Sequence, residues 1–326
     1  MSNESPWDEI KVPNSQLNVR KVNVDTKDEC WWARDSVGSC LFILQLKGEH
    51  LLTYRNNIVE VSGITIDLLG AGEGVQNLVL KLDSQTNRDL FGGFCLTLAD
   101  ALVHASDSAT SLSIALAHIR RWKAFFFGHK KVMSLEKIRG LFAELTFLIE
   151  LADNKSSAEE AVNHWLGPER AHQDFIYGNT AVEVKALSGT ERSTVKISSE
   201  DQLEALNEYL FLRIYRLSEL PESPRSRSLN DIVDEVRKRL NNAESIDAYE
   251  EKLADYGYAP LPDYDNPKFV VSNIKNYRVV DETPRLVRSN IPEGVTRVEY
   301  QIQLEVLEPY ITNKHDVFEV DTWSKP

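Results

Sequence analysis

The amino-acid sequence predicts an α+β or α/β protein, because it contains both strand-like and helix-like hydrophobic patterns. Between about residues 17 and 85, short apolar segments are separated by clusters of Asp, Asn, Gly and Ser, as in β-rich domains. From Asp89 onward the apolar residues recur at helical spacing. We therefore expect a β-rich N-terminal domain at residues 1–86, a helical connector at 87–133, and a region at 134–326 that ends in a β extension.

Length and composition narrow the class of protein. The 326 residues, 42% of them hydrophobic, are enough for two domains with ordinary cores. No apolar run reaches about 18 residues and the N-terminus lacks a secretory signal, so we expect a cytoplasmic protein with no membrane partner. The 3 cysteines are widely spaced, which argues against a disulfide framework or a zinc site. The net charge of −13 indicates that any contact with DNA is local or assisted.

The N-terminal domain is expected to consist of short strands. Adjacent residues on a strand point to opposite faces of a sheet, so at least one of Trp31 and Trp32 should lie in the core, and packing is favoured over a contact surface. The predicted strands are residues 17–24, 41–46, 51–54, 58–61, 64–69 and 78–82.

The middle of the chain is expected to be helical, with apolar stripes that predict helices at residues 90–105, 112–126, 135–152 and 158–166. A basic stretch with a single acid, Glu136, overlaps two of these helices. In so acidic a chain it is the best candidate for a DNA-backbone patch, although a solvated helix end is an equally good interpretation. Its basic residues are Arg120, Arg121, Lys123, Lys130, Lys131, Lys137 and Arg139.

The helix at residues 135–152 brings a carboxylate to the edge of its apolar face. Ser134 is a suitable N-cap, and Glu144 lies on the shoulder of the apolar stripe. A partly buried carboxylate is costly unless a cation or hydrogen-bond donors accompany it. The alternative is an edge residue paired with a lysine or arginine. Gly140, which is unfavourable inside a helix, allows another backbone or a ligand to come close.

Residues 172–186 have the pattern of a β-hairpin, in which two strand-like runs flank a turn at Gly178. In the second run, Val184 and its aliphatic neighbours alternate with Glu183 and Lys185. A period of two buries the aliphatic side chains and places the carboxylate and the amine together on the other face.

Asp174 opens the first run of this hairpin, and the turn folds it back towards Glu183. Two carboxylates in this arrangement can share one hard divalent cation. Lys185 would then stand beside a water bound to that cation. The alternative is a half-exposed edge hairpin whose charges are solvated.

After the hairpin, residues 193–198 form a third predicted strand. Ser199 and Gln202 have the spacing of a capping box, which predicts a helix over about residues 203–214 with Gln202 in a capping role. Further helices are predicted at 229–240 and 245–256, and strands at 269–271, 277–280 and 295–306. The chain has no Gly-rich phosphate loop, no G-x-S-x-G elbow and no internal repeat.

This order of elements resembles the PD-(D/E)XK nuclease superfamily. More closely, it is similar to bacterial members encoded beside DNA methyltransferase and helicase or ATPase genes in restriction and phage-defence clusters. Gln173 stands where the superfamily has the proline of its name. The matching stretches are residues 139–145, 165–168, 172–175, 181–185 and 197–203.

The resemblance implies a restriction-endonuclease-like core, in which helices flank a mixed central sheet. It implies a Mg2+-dependent DNA endonuclease of restriction or phage defence, with Mn2+ as a substitute metal. The implied metal ligands are Asp174, Glu183, the carbonyl of Val184 and, directly or through water, Glu144. The implied catalytic residues are Glu144, Asp174, Glu183, Lys185 and Gln202.

The implied partners are duplex DNA, proteins from a defence cluster and a second copy of the chain. The cation would polarise the scissile phosphate and acidify a bound water, which Lys185 would orient or deprotonate. Two other readings stay open. One is a catalytically silent nuclease fold that serves as a DNA-binding or assembly subunit, which the acidic balance favours. The other is an RNA nuclease or structure-specific nuclease.

Overall fold

The chain forms two compact units in the computed structural model. One unit is Met1–Lys131 with Ala259–Leu261, and the other is Val132–Tyr258 with Pro262–Pro326. Both combine helices with strands, so the chain is an α+β protein. The domain boundaries expected at residues 86 and 133 stay a prediction. The structure describes residues 5–58, 60–72, 74–83, 88–103, 105–126, 132–169, 171–189, 193–204 and 206–319.

The first unit consists of an antiparallel sheet and helices. In chain order its elements are β1 (Asn18–Lys21), β2 (Cys30–Arg34), β3 (Cys40–Lys47), α1 (Leu51–Asn57), β4 (Ile64–Gly72), β5 (Val75–Leu82), α2 (Arg88–Leu102) and α3 (Ser108–Phe126). The strand order is β1-β2-β3-β5-β4. Trp32 is buried between Trp7 and Phe42, whereas Trp31 is partly exposed on the other face of β2. The two adjacent tryptophans thus point to opposite faces, as the pattern predicts.

One predicted strand of this unit is wrong, and another lies partly outside the described residues. Residues 51–54 begin helix α1, where Tyr54 is buried and its hydroxyl donates to the carbonyl of Ile66 at 2.7 Å. The pattern of a short apolar run does not show whether it forms a strand or a helix. Here the helix is accompanied by a contact with a residue outside the run. Of residues 58–61, Val59 lies outside the described residues, and Val61 forms an isolated bridge to Ile64.

The elements of the second unit are α4 (Leu135–Asn154), α5 (Ala158–His164), β6 (Phe175–Tyr177), β7 (Thr180–Ser188), β8 (Thr194–Ile197), β9 (Tyr209–Glu219), α6 (Leu229–Arg237), α7 (Ala243–Tyr256), β10 (Phe269–Val279), β11 (Tyr300–Gln303), β12 (Ile311–Thr312) and α8 (Lys314–Glu319). Helix α4 begins at its predicted cap, because the Ser134 side chain accepts from Lys137 N at 3.3 Å. The predictions for α4, α5, α6 and α7 are confirmed to within a few residues.

The central sheet of the second unit is mixed, with strand order β12-β10-β9-β7-β6. Strands β7 and β9 are parallel, and the other neighbouring strands are antiparallel. Helix α4 packs on one face, where Phe147 contacts Phe175. The β8–β11 pair covers the other face, where Val195 and Ile197 join Ala181 in one apolar cluster. Both faces of β7 are therefore covered.

The helix predicted over residues 203–214 is wrong, because residues 209–214 belong to strand β9. β9 lies between β7 and β10 and is covered on both faces, so its residues form a nearly continuous apolar run without alternation. Such a run also matches helical spacing, so periodicity alone does not distinguish a helix from a strand. Here the run is a strand that is buried on both faces. Leu206, within the predicted helix, is 68% exposed before β9 begins.

The C-terminal third also differs from its predicted strands. Residues 269–271 and 277–280 are the two ends of one strand, β10, whose polar middle contains an irregularity between Val271 and Asn273. In the stretch 295–306, the strand is limited to β11, and a 3-10 helix follows from Leu304 to Tyr310. Among the described helices, none combines the length and the apolar composition needed to cross a membrane.

Candidate active site

Strand β7 places Glu183 and Lys185 in the interior of the central sheet. It pairs with β6 on one side and with β9 on the other, so it is not an edge strand. The side chain of Glu183 is 1% exposed and that of Lys185 is 17% exposed. Both alternate in phase with Ala181 and Leu187, which belong to the apolar cluster beneath β8 and β11. The reading of a solvated edge hairpin does not fit this burial.

Lys185 is held between Glu183 and Gln202. Its Nζ lies 2.7 Å from Glu183 Oε1 and donates to Gln202 Oε1 at 3.0 Å. The same oxygen of Gln202 accepts from the backbone N–H of Ser198 at 2.8 Å. Residues 200–203 form a turn, so Gln202 does not begin a helix. Its amide orients the ammonium group of Lys185.

Asp174 reaches this pair from the segment before β6. Its Oδ2 accepts from Val184 N at 2.7 Å, so its carboxylate lies beside the backbone between Glu183 and Lys185. The carbonyl of Asp174 accepts from Leu166 N at 2.7 Å, which ties it to the segment after α5. The amide of Val184 is thus in use, and the role of its carbonyl as a metal ligand stays a prediction.

Glu144 enters the site from α4 and is 6% exposed. Its Oε2 accepts from Trp165 Nε1 at 2.8 Å, and its Oε1 accepts from the hydroxyl of Tyr256 at 2.9 Å. Gly140 lies one turn earlier, where a Cβ atom would come within 3.0 Å of the Tyr256 hydroxyl. The close approach that Gly140 allows is therefore made by the Tyr256 side chain.

A glycine also leaves the space in which two of the carboxylates meet. A Cβ atom on Gly167 would lie 2.6 Å from Glu144 Oε2 and 3.1 Å from Asp174 Oδ1. Real Cβ atoms essentially never approach an oxygen as closely as the first distance. The absence of a side chain at Gly167 therefore opens a small cradle between the carboxylates of Glu144 and Asp174.

Burial and mutual repulsion shift the pKa values of these acids. Burial, followed by the negative charge of Asp174, raises the pKa of Glu183 to about 8, although Lys185 opposes the shift. Burial and the charge of Asp174 also raise the pKa of Glu144 well above its ordinary value. Burial raises the pKa of Asp174, against the charge of Lys185. Burial lowers the pKa of Lys185, but the charges of Glu183 and Asp174 outweigh it and the net shift is upward.

The donor set fits a hard divalent cation. Three carboxylates, those of Glu144, Asp174 and Glu183, lie near one ammonium group, that of Lys185, so the site carries excess negative charge once its acids are ionised. Among the residues that the structure describes, Oε2 of Glu183 has no hydrogen-bond donor, and Oε1 has only its 2.7 Å contact with the Lys185 ammonium. Buried carboxylates in this state favour Mg2+ or a similar ion, which binds oxygen ligands.

A second group of possible metal ligands lies nearby on the surface. His172, Asp201 and Glu204 have ligand atoms within 4.8 Å of one another, and they are exposed or partly exposed. No prediction from the sequence pointed to this group. It flanks Gln202 but does not contain any of the predicted site residues.

The structure brings together the five predicted side chains and adds others that the sequence did not single out. Trp165 and Gly167 lie in the matching stretch 165–168, and that match is the sequence signal that indicates them. Tyr256 had no such clue, because it lies far from Glu144 in sequence and reaches it only through the packing of α7. In the sequence, Gln173 stands out only because it replaces a proline. In the structure, its side chain is buried, with 2% exposed.

The predicted basic patch is described only in part. Lys130 and Lys131 lie outside the described residues, as do the side chains of Arg121 and Lys123. Arg139 donates to Glu219 at 2.8 Å, so part of its charge is compensated. The role of this stretch in DNA binding stays a prediction.

Comparison with protein families identifies the chain. The family model described as "Putative PD-(D/E)XK family member, (DUF4420)" matches residues 3–305. The chain belongs to the DUF4420 family. This DUF4420 match spans both compact units and agrees with the resemblance drawn from the motif residues. Neither the search of curated proteins nor the search of solved structures returned a match.

Proposed function

We propose that this protein is a Mg2+-dependent DNA endonuclease that also accepts Mn2+. The observation that carries the proposal is the meeting of the buried carboxylates of Glu144, Asp174 and Glu183 beside Lys185. Excess negative charge in a buried place is costly, and a divalent cation offsets it. Membership in a PD-(D/E)XK family supports phosphodiester hydrolysis as the reaction.

Four groups of this chain would hold the cation: the carboxylates of Glu144, Asp174 and Glu183, and the carbonyl of Val184. When bound, Mg2+ would polarise the scissile phosphate and lower the pKa of a coordinated water. The cradle at Gly167 leaves room for an ion or water between Glu144 and Asp174. Trp165 and Tyr256 fix the Glu144 carboxylate, so that it is already oriented before a metal binds.

Lys185 would stabilise the negative charge that develops on the phosphate. Gln202 and Glu183 hold its ammonium group among the candidate metal ligands. Because its acidic neighbours raise the pKa of Lys185 despite burial, the side chain is a cation at neutral pH. Electrostatic stabilisation is therefore its first role, and orientation of the attacking water is the second.

We place this activity on duplex DNA, in the cytoplasm, in restriction or phage defence. The support is the family membership together with the resemblance to nucleases encoded in such clusters. Proteins from the same cluster are proposed partners. A homodimer is proposed because cleavage of both strands requires two active sites.

The test is cleavage of supercoiled plasmid by the purified full chain, with Mg2+, with Mn2+ and with EDTA, on methylated and unmethylated DNA. We expect metal-dependent nicking or linearisation. Asp174→Asn and Lys185→Met should each lower the rate about 10³-fold, because each removes a charge from the reacting centre. Circular dichroism would show that both variants remain folded.

The matched controls are Lys196→Met and Asp281→Asn. Lys196 lies on β8, where it pairs with Glu299, and Asp281 has a side chain that is 98% exposed. Both controls should cleave like the wild type. Cleavage that survives in the Asp174 and Lys185 variants would overturn the proposal, and cleavage of RNA alone would reassign the substrate.

A second candidate is a catalytically silent subunit that binds DNA or assembles with partners. The net charge of −13 favours it, because a nuclease that acts alone gains affinity from basic surface. Calorimetric titration with Mg2+ separates the two candidates, alongside pull-down of proteins encoded in neighbouring genes. Metal binding that requires Asp174 and Glu183 in the absence of partners would count against the silent subunit.

A further inference from the structure

Gln173 is a buried amide whose hydrogen bonds all point to one turn. Its side chain is 2% exposed, so its donors need partners inside the protein. The two N–H groups of Nε2 share three acceptors, the carbonyls of Asp201 at 3.1 Å, Gln202 at 3.3 Å and Glu204 at 3.2 Å. One amide group thus gathers three carbonyls from a short stretch, and this fixes the path of the chain there.

The stretch that Gln173 fixes is the turn at residues 199–204. The turn has backbone hydrogen bonds of its own, from Gln202 N to Ser199 O at 3.3 Å and from Glu204 N to Asp201 O at 3.1 Å. From this turn Gln202 Oε1 accepts from Lys185 Nζ at 3.0 Å. The position of the turn therefore sets the position of the oxygen that orients Lys185.

Gln173 is also the residue before Asp174, whose carboxylate accepts from Val184 N at 2.7 Å. Its backbone therefore belongs to the carboxylate side of the site, and its side chain belongs to the Gln202 side. A proline at this place has no side-chain donor and could not gather the three carbonyls. The chain of contacts thus runs from residue 173 through the turn to Gln202 and Lys185.

We propose that Gln173 is a positioning residue, whose buried amide fixes the 199–204 turn so that Gln202 holds Lys185 beside the carboxylates of the site. This inference rests on the proposed nuclease function. Gln173 does not touch the reacting atoms, and it acts through Gln202. Its loss should therefore affect the chemical step and leave the binding of DNA and metal in place.

The first test is a double-mutant cycle with Gln173→Met and Gln202→Met in the full chain. Each single variant should lower kcat about 10- to 100-fold, because a misplaced catalytic group has costs of this size. KM for plasmid and the Mg2+ dependence should stay unchanged. The kcat of the double variant should be no lower than that of the less active single variant, because both substitutions break the same chain of contacts.

A merely structural role for Gln173 predicts a different result. In that case the losses of the two variants multiply, or the loss appears in KM or in the Mg2+ requirement, and the inference is overturned. Thr283→Val is the matched control. Thr283 is a buried polar residue of the same unit whose Oγ1 accepts from Val280 N at 2.9 Å, and so it fixes a separate turn, at residues 280–283.

A second measurement does not depend on cleavage. Lysine labelled with 13C at Cε is incorporated during expression, so the ammonium group is unmodified, and the NMR resonance of Lys185 is assigned by its loss in Lys185→Arg. Gln173→Met and Gln202→Met should shift this resonance in the same direction, while Thr283→Val leaves it unchanged. An unshifted resonance in Gln173→Met overturns the inference. If the resonance shifts in the variants but the wild-type chain cleaves no DNA, the proposed function is overturned instead.

Discussion

Helix α4 carries two carboxylates into the interior of the second unit, and their surroundings differ in charge. Glu150 pairs with Arg213, a fully buried arginine whose other donors bind Asn276 and the hydroxyl of Tyr215. Glu144 instead receives hydrogen bonds only from neutral donors in the described part of the chain, and it lies among further carboxylates. One helix thus contributes to a cluster whose charges are paired and to a cluster of acids that burial and mutual repulsion keep from ionising together.

The difference separates groups that serve the fold from groups suited to chemistry. The guanidinium of Arg213 lies over the rings of Phe147, Tyr215 and Phe318, so it is both paired and packed. A buried charge with this set of partners needs nothing from outside the chain. The carboxylates around Glu144 lack enough positive partners within the chain to ionise together, and a divalent cation from solution would supply the missing charge.

The largest expected effect is on the Arg213 cluster. Arg213→Met leaves Glu150 and Asn276 without their donors, so the free energy of unfolding should fall by about 3–5 kcal/mol, measured by urea unfolding. Arg239→Met is the control, because Arg239 is partly exposed and its pairs with Asp153 and Glu235 are worth about 0–1 kcal/mol. Equal losses in both variants would remove the distinction between a fold-serving cluster and surface ion pairs.

The second effect has the opposite sign and depends on pH. The pKa of Glu183 is raised to about 8 from 4.5, so the unfolded chain releases this proton at lower pH than the folded chain does. The contribution of the Glu183 carboxyl to the free energy of unfolding is therefore fully present below pH 4.5 and is lost as the pH rises towards 8. Glu183→Gln cannot ionise, so without metal it should be more stable than the wild type at pH 8 by about 0.5–2 kcal/mol.

Urea unfolding in EDTA at several pH values between 4.5 and 8 checks this prediction. The advantage of Glu183→Gln should grow with pH and vanish at the acidic end. Glu299→Gln is the control, because that carboxylate has a side chain 57% exposed and pairs with Lys196. A destabilised Glu183→Gln at pH 8 would mean that the carboxylate cluster is compensated within the chain, like that of Arg213.

The smallest effect concerns the cradle. Gly167→Ala places a methyl group against Glu144 Oε2 and Asp174 Oδ1, so the Mg2+ affinity should fall about tenfold in calorimetric titration. Gly93→Ala is the control, because a Cβ there meets nothing within 4 Å, and in helix α2 it should stabilise the protein by about 1 kcal/mol. Unchanged affinity in Gly167→Ala would show that the cation does not use this space.

Local patterns predicted the elements whose burial follows their own periodicity. Helix α4 with its cap at Ser134 and the hairpin of β6 and β7 are confirmed. The pattern failed at β9, because a strand buried on both faces loses its alternation, and its apolar residues then also match helical spacing. It failed at α1 for a related reason, since a short apolar run carries no clear period.

The sequence by itself determined which chemical groups are available and where they stand along the chain. Asp174, Glu183 and Lys185 follow from one hairpin, and the family membership of the chain agrees with that motif. Only the tertiary structure decided how these groups are held. The contacts of Tyr256 with Glu144 and of Gln173 with the turn at Gln202 join segments that are distant in sequence. Such contacts depend on how helices and strands pack, and no local period records them.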